Sequence, residues 1–234
     1  MKKLYSISLI INSLFLGCIL FALLKIGSPR YLYQLVKYRG NGIVSLKKSK
    51  TSHLKTLPIS EGKIVMLGNS ITAECEWSEL LQNTNIINRG VIGDGAGDIL
   101  ERLDPIIAAK PTKIFLLIGV NDLMFHPLST IEEFYEKIVS RIVTETPTTK
   151  LYLESILPIH NDLRRNGMKN ADIDTLNKAI EQIAKKYGLI YIDLNSKFKN
   201  TEGSLRQEFS LDGIHLNGDG YLLFKDIIQP YTTN

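Results

Sequence analysis

The chain has 234 residues, 44% of them apolar and 22% charged, which suits one folded α/β domain with an appendage. Its net charge of +4 is unevenly spread: residues 1–60 hold ten Lys and Arg and no acidic residue, whereas residues 61–234 hold 18 basic and 24 acidic residues. An acidic domain argues against a nucleic-acid partner, because nucleic-acid-binding domains concentrate positive charge on the folded face.

Residues 4–24 form a stretch of about 21 mostly apolar residues without charge, preceded by Lys2 and Lys3. This length predicts an uncleaved, single-pass membrane anchor over residues 1–26. The positive-inside rule does not decide its orientation, and we expect an extracytoplasmic domain because short N-termini often stay inside. A cleaved signal peptide is the alternative, although no small-residue cleavage site follows. A lipoprotein site at Phe15-Leu16-Gly17-Cys18 is disfavoured, because apolar residues continue past Cys18.

Residues 27–60 form a basic segment that leads into the first predicted strand. We interpret it as a juxtamembrane tether with some helix. The alternative is a segment that lies on anionic lipid head groups, where each Lys or Arg contributes about 1 kcal/mol. The remaining residues, 61–234, are predicted to form the globular domain.

Strand and helix patterns alternate through that domain. The predicted strands are Ile64–Leu67, Asn85–Asn88, Lys113–Ile118, Lys150–Glu154 and Leu189–Ile192. The predicted helices are Glu74–Gln82, Gly97–Ala109, Ile131–Thr146, Ala171–Tyr187 and Gly218–Ile228. Apolar strands between amphipathic helices predict a parallel sheet covered on both faces. Ligands of such sheets bind outside the carboxyl ends of the strands.

Four polar or glycine-containing segments stand where such a ligand would bind. They are Gly68-Asn69-Ser70, Asn88-Arg89-Gly90, Gly119-Val120-Asn121-Asp122 and Asp212-Gly213-Ile214-His215. The first three follow predicted strands, and the fourth precedes the last predicted helix. We therefore expect all four to converge on one edge of the sheet.

The residue types in these segments suit nucleophilic catalysis. The hydroxyl of Ser70 needs a base that takes its proton, and His215 can serve as that base. Asp212, three residues earlier, can orient the imidazole. The Ser70 N–H, the Gly90 N–H and the Asn121 side-chain amide are candidate oxyanion donors, each worth roughly 3–4 kcal/mol of barrier. Glycine at position 90 is expected to let the backbone approach the substrate.

These blocks, in this order, resemble those of SGNH/GDSL-type hydrolases over residues 60–230, in the branch of platelet-activating-factor acetylhydrolases and sialate O-acetylesterases. The resemblance implies a three-layer α/β/α sandwich with a flavodoxin-like sheet, no metal and no cofactor. It also implies Ser70 as nucleophile, Asp212 and His215 as its triad partners, and Gly90 and Asn121 in the oxyanion hole.

Two features depart from the family pattern. Asn69 stands where the family usually has aspartate, and we expect altered local hydrogen bonding there. The extra glycines of segment 93–97 predict a more mobile loop.

Other interpretations stay open for single segments. Gly68-Asn69-Ser70 alone is typical of a helix N-cap. Asp193 could replace Asp212 as the acid. A metal site would have to draw on residues without recognisable ligand spacing, namely His126, His160, Asp122 and Asp162.

The four blocks predict a serine esterase, and the apolar stretch over residues 4–24 predicts that it is anchored to a membrane. The resemblance implies that its substrates are small acyl esters, foremost acetyl esters, of a carbohydrate or a lipid. One alternative is a non-catalytic glycan- or lipid-binding domain on the same fold. The other is an acyltransferase that uses the same triad.

Overall fold

The computed structural model describes residues 29–160, 162–163 and 168–233. The predicted membrane span, residues 4–24, lies outside the described residues. Within the described ranges, no helix combines the length and the apolarity needed to cross a bilayer. The chain divides into two compact units, residues 1–46 and residues 47–234, and the sheet and the candidate site belong to the second.

The second unit alternates strands and helices, as the sequence predicts. Five strands are described: β1 (Ile64–Gly68), β2 (Ile86–Gly90), β3 (Lys113–Leu117), β4 (Lys150–Glu154) and β5 (Ile190–Ile192). The α-helices in the described residues are α1 (Pro29–Thr56), α2 (Ser70–Ala73), α3 (Trp77–Leu80), α4 (Ala96–Glu101), α5 (Asp104–Ala108), α6 (Leu128–Glu145), α7 (Asn170–Tyr187), α8 (Asn195–Phe198) and α9 (Gly218–Thr232). Short 3-10 turns occur at Asp122–Met124 and Gln207–Phe209.

The sheet is parallel throughout, with strand order β2-β1-β3-β4-β5. The chain passes from β1 to β2 on one side and then to β3 on the other side of β1. A crevice opens at such a reversal, outside the carboxyl ends of the two strands that flank it. This topology confirms the predicted parallel sheet and places the ends of β1 and β3 beside each other.

Helices cover both faces of the sheet, and the side chains of β1 alternate between the two layers. Val65 and Leu67 pack into one apolar cluster with residues of α4, α6 and α7. Ile64 and Met66 pack into a second cluster with Trp77 and with residues of α8 and α9. The α/β fold with helices flanking a parallel sheet is therefore confirmed.

Two predicted helices differ in the structure. The helix predicted over Glu74–Gln82 is shortened to α3, and a separate short helix, α2, precedes that range because the Asn69 side chain caps its N-terminus. The helix predicted over Gly97–Ala109 is α4 and α5, and a proline in the first turn of α5 marks the restart. Segment 27–60 is more helical than expected, since α1 covers 28 of its residues.

Candidate active site

Ser70, His215 and Asp212 meet at the carboxyl edge of the sheet although 145 positions separate the serine from the histidine. The Nε2 atom of His215 lies 3.0 Å from the Ser70 Oγ. The Nδ1 atom of His215 lies 2.7 Å from Asp212 Oδ2. An ionised carboxylate can only accept, so the imidazole proton belongs on Nδ1 and Nε2 is left to accept the serine proton.

The short helix α2 fixes Ser70 directly after β1. The Ile71 N–H donates to Asn69 Oδ1 at 3.0 Å, so Asn69 caps the helix that Ser70 begins. At the other end of α2, Asn88 Nδ2 donates to the carbonyl oxygens of Thr72 at 2.8 Å, Ala73 at 3.2 Å and Cys75 at 3.0 Å. Both ends of the helix are therefore held by amide side chains.

Two aromatic side chains attach α2 to the layer that contains α9. Trp77 is buried, and its Nε1–H donates to the Thr72 carbonyl at 2.8 Å. The Tyr221 hydroxyl of α9 donates to the Ile71 carbonyl at 2.8 Å. Through these contacts the serine is carried on a rigid support.

Asp212 and His215 lie in the loop that precedes α9, with 44% and 31% of their side chains exposed. Asp212 Oδ1 accepts the backbone N–H of Ile214 at 3.0 Å and of His215 at 2.9 Å. Burial alone would raise the pKa of Asp212, but hydrogen bonds from the backbone and ring of His215 and from the Ile214 N–H outweigh it, and the pKa is lowered. The carboxylate thus stays ionised beside the imidazole.

Of the three predicted oxyanion donors, the Ser70 N–H occupies the first position of α2, where backbone N–H groups lack a carbonyl partner in their own helix. Asn121 follows β3, and its Nδ2 donates one hydrogen to the Asp94 carbonyl at 2.9 Å. The second amide hydrogen of Asn121 is left for another acceptor. These two groups come from the two strands that flank the crevice.

Gly90 occupies the end of β2 for a different reason from the one predicted. A Cβ at this position would lie 2.3 Å from Ala73 N and 2.7 Å from Thr72 C, so glycine permits the close packing of α2 on β2. The Gly90 N–H donates to Asn88 Oδ1 at 2.8 Å. It can reach an oxyanion only as a shared donor or after this bond opens.

A buried ion pair beneath the donors was missed by the sequence reasoning. Arg102 Nε donates to Asp94 Oδ2 at 2.7 Å, and Arg102 also donates to the Gly68 carbonyl at 3.1 Å. Desolvation raises the pKa of Asp94 and lowers that of Arg102, and their mutual attraction opposes both shifts. Through Arg102, Asp94 thereby connects the Asn121 amide to the end of β1, two residues before Ser70.

The glycine-rich loop after β2, expected to be mobile, is instead held at several points. Asp94 within it is fully buried. The Gly95 N–H donates to Asp98 Oδ2 at 2.8 Å. The Ala96 N–H donates to both carboxylate oxygens of Asp122, at 2.9 and 3.0 Å. A Cβ at Gly95 would lie 2.5 Å from Asp122 Oδ1, so this glycine allows the carboxylate to approach.

The other candidate side chains are placed elsewhere. Asp193, the alternative acid, accepts the Ser196 N–H at 3.0 Å at the start of α8, while the imidazole of His215 faces Asp212. His160 is tied to the loop of the candidate site through its backbone, whose N–H donates to the Gly213 carbonyl at 2.9 Å. In the part of the chain that the structure describes, no three His, Cys, Asp or Glu side chains come together as a metal-binding group.

The fold and this site have counterparts among known proteins. The family model of the GDSL-like lipase/acylhydrolase family matches residues 66–223, and the chain belongs to this family. It is a carboxylic-ester hydrolase by that membership.

Individual relatives agree with this family membership. The chain is 27% identical over 170 residues to the platelet-activating factor acetylhydrolase IB subunit alpha2 of Rattus norvegicus, covering 69% of this chain and 72% of that protein. A solved structure from Streptococcus pneumoniae, named for platelet activating factor, covers 88% of this chain and 100% of its own at 27% identity, with a TM-score of 0.76. An acetyl xylan esterase structure covers 73% of this chain and 100% of its own at 22% identity, with a TM-score of 0.62, and shows the shared fold.

Proposed function

We propose that this esterase hydrolyses small acyl esters, foremost acetyl esters, through a covalent acyl-enzyme on Ser70. The observation that carries the proposal is the pair of short contacts at His215, 3.0 Å to Ser70 Oγ and 2.7 Å to Asp212 Oδ2. Nucleophile, base and orienting acid in mutual hydrogen-bond reach are what acyl transfer to a serine requires.

In the first half-reaction, Ser70 Oγ forms a bond to the ester carbonyl carbon while His215 Nε2 takes the hydroxyl proton. Asp212 stabilises the resulting imidazolium through the Nδ1–H. The bond from the carbonyl carbon to the alcohol oxygen then breaks, and His215 gives its proton to the departing alcohol. In the second half-reaction, water attacks the acyl carbon, gives its proton to His215, and the Ser70 oxygen leaves and regains that proton.

Negative charge develops on the carbonyl oxygen in both half-reactions. The Ser70 N–H and the remaining Asn121 amide hydrogen are the donors that would stabilise it. Donors aimed in advance at a developing oxyanion are typically worth about 10²–10³ in kcat each. Gly90 would contribute a third donor if its bond to Asn88 opened.

The acyl group that we favour is acetyl. The support is the name of the Rattus norvegicus relative, an acetylhydrolase at 27% identity over 69% of this chain. The alcohol part is a carbohydrate or a lipid in this proposal, and the loops around residues 123–130 and 156–170 would select it.

Hydrolysis of p-nitrophenyl acetate by the full chain tests the proposal. We expect the rate to fall at least about 10³-fold in Ser70→Ala, while Ser196→Ala, an exposed serine of α8, keeps the rate. After a rapid acid quench, the peptide that contains Ser70 should carry one acetyl group in mass spectrometry. Equal rates for Ser70→Ala and the unaltered chain would contradict the serine mechanism.

The same assay separates the two alternatives. A non-catalytic binding domain would leave p-nitrophenyl acetate intact in both proteins. An acyltransferase would form more acetylated acceptor than acetate when an alcohol acceptor such as glycerol is supplied.

We also propose that residues 4–24 anchor the chain in a membrane with the catalytic domain on the extracytoplasmic side. The support is their length and lack of charge. Extraction of membranes with alkaline carbonate should leave the full chain in the pellet. Recovery in the supernatant, or a mature N-terminus beyond residue 24, would favour a cleaved signal instead.

A further inference from the structure

A cavity of about 310 Å³ opens beside Asn121, at the same edge of the sheet as the candidate active site. Its wall is formed by the glycine-rich loop 93–98, the start of the segment after β3, Phe134 of α6 and Lys47 of α1. Asn121 therefore faces this cavity and is also a candidate oxyanion donor. A substrate whose ester carbonyl meets Asn121 would extend one of its two ends into this space.

We propose that this cavity is the subsite for the alcohol part of the ester, and that this alcohol is a neutral sugar. The inference rests on the esterase function proposed above. The volume of the cavity lies at the lower end of the range found for small-molecule pockets. It is much larger than an acetyl group. The larger end of an acetyl ester, its alcohol, is the part that matches the space.

The chemistry of the wall opposes an apolar or an anionic occupant. Asp98 and Glu101 line the cavity with carboxylates, and the buried Asp122 lies behind them. A fatty chain would remove water from these charged groups without replacing their hydrogen bonds. A phosphate or carboxylate group would meet them at close range with like charge.

A cationic occupant is opposed by Lys47, whose Nζ lies 2.5 Å from Asp98 Oδ2 and 3.6 Å from Asp94 Oδ1. This ammonium pairs with Asp98 and puts a positive charge in the wall, which a ligand cation would meet at close range. The same groups suit sugar hydroxyls, which donate to carboxylates and accept from an ammonium or an amide.

The cavity also offers an apolar surface of the kind that the C–H face of a sugar ring contacts. Phe125 lines it with 75% of its side chain exposed. The ring of Phe134 stands edge-on to His126, with 6.2 Å between the ring centroids. Two phenyl rings beside carboxylates form a wall that is apolar in one part and hydrogen-bonding in another.

One residue of the cavity wall comes from the N-terminal helix. Lys47 belongs to α1 and lies before residues 66–223, the part that the family model matches. Its Nζ also lies 3.5 Å from the Gly93 carbonyl. The N-terminal helix thus contributes a charged, hydrogen-bonding group to the wall of the proposed subsite.

The test compares kcat/KM for acetylated xylobiose with kcat/KM for ethyl acetate, whose alcohol is too small to contact the cavity wall. We expect the ratio of the two to fall at least about tenfold in Phe125→Ala and in Glu101→Gln, since each removes a contact to the sugar alone. Unacetylated xylobiose should also inhibit hydrolysis of p-nitrophenyl acetate competitively, and more weakly in both variants.

Matched controls are available away from the cavity. Leu222→Ala removes an exposed apolar side chain of α9, and Glu202→Gln changes an exposed carboxylate in a turn. Both should keep the ratio of the unaltered chain. Thermal unfolding of the four variants verifies that each is folded.

Two results would overturn the subsite. One is a ratio that stays constant in Phe125→Ala and Glu101→Gln although acetylated xylobiose is hydrolysed. The other is Ser70-dependent hydrolysis of p-nitrophenyl acetate and of micellar ether lipids bearing an acetyl group, with acetylated xylobiose left intact. Both leave the esterase function in place, whereas a Ser70→Ala protein as active as the unaltered chain would remove the function itself.

Discussion

Two polar clusters at the carboxyl edge of the sheet differ sharply in their exposure to water. The rim cluster, Ser70, Asp212 and His215, includes side chains of Asp212 and His215 that are 44% and 31% exposed. The buried pair, Asp94 and Arg102, has side chains that are 1% and 8% exposed. The imidazole and the carboxylate stay reachable beside the buried Ser70, which is 5% exposed, while the charges that hold the surrounding backbone lie in the dry interior. Chemistry and support are thus carried by separate residues.

The largest expected effect concerns the rim cluster. His215→Gln should lower kcat for p-nitrophenyl acetate at least about 10³-fold, because glutamine cannot take the serine proton. Its free energy of unfolding should fall by only about 1–2 kcal/mol, because the half-buried ring makes two hydrogen bonds that each contribute roughly 0.5–1.5 kcal/mol. His53→Gln, an exposed histidine of α1, is the matched control for activity. A near-normal kcat in His215→Gln would contradict the assignment of catalysis to the rim cluster.

For the buried pair we expect the largest change in stability and not in kcat. Arg102→Met leaves the buried Asp94 carboxylate without its hydrogen-bonded partner, and Lys47, 3.6 Å from Oδ1, replaces it only in part. The free energy of unfolding should therefore fall by about 3–5 kcal/mol in urea titration. Arg141→Met serves as control, because that arginine forms ion pairs on the surface with Glu145 and Asp104 and should contribute about 1 kcal/mol or less. Equal losses in the two variants would show that burial does not distinguish them.

A third test uses Glu154, a buried carboxyl at the end of β4. Burial raises its pKa from 4.5 to about 8, so the folded state keeps a proton that the unfolded state releases. The contribution of Glu154 to stability should therefore be fully present below pH 4.5 and be lost, about 5 kcal/mol in all, as the pH rises to about 8. In Glu154→Gln this part of the pH dependence should vanish. Glu202→Gln should keep it, and a Glu154→Gln protein with the original slope would refute the assignment.

The smallest effect is expected at the opposite edge of the sheet. Lys113 Nζ donates to the carbonyl oxygens of Tyr231 at 2.9 Å and Thr233 at 2.7 Å, at the end of α9. Lys113→Met removes this cation from the C-terminal end of a helix and should cost about 1–2 kcal/mol without changing kcat. Lys178→Met, on α7, is a control. A loss of activity in Lys113→Met would show that the edges are coupled.

The strands were predictable because their signal is local. Each apolar run is bounded by polar or glycine residues, so Lys150–Glu154 was placed without error and the other strands within two residues. The same holds for Ser70, Asp212 and His215, which the structure brings together as predicted. Their residue types and their places after strands, or before the last helix, are local features too.

What the sequence could not predict depends on contacts between distant segments. Asp94 and Arg102 pair only because α4 ends next to the loop that follows β2. The sequence around either residue contains no signal for this contact. Lys47 likewise reaches Asp98 from a helix that was interpreted as part of a tether. By contrast, Pro105 does indicate the start of α5, because proline is favoured in the first turn of a helix. The prediction of a single helix over Gly97–Ala109 did not take it into account.

The close packing of Gly90 against Ala73 has a consequence for genetics. Any side chain at position 90 displaces the helix that presents the serine, whatever the N–H of that residue does. Loss of activity in Gly90→Ala would therefore show only that the contact between β2 and α2 does not tolerate a side chain. A saturation mutagenesis screen would find position 90 essential without showing that its N–H is a hydrogen-bond donor to the substrate. Only a probe that alters the peptide N–H itself, such as an ester linkage in the backbone, would separate the two roles.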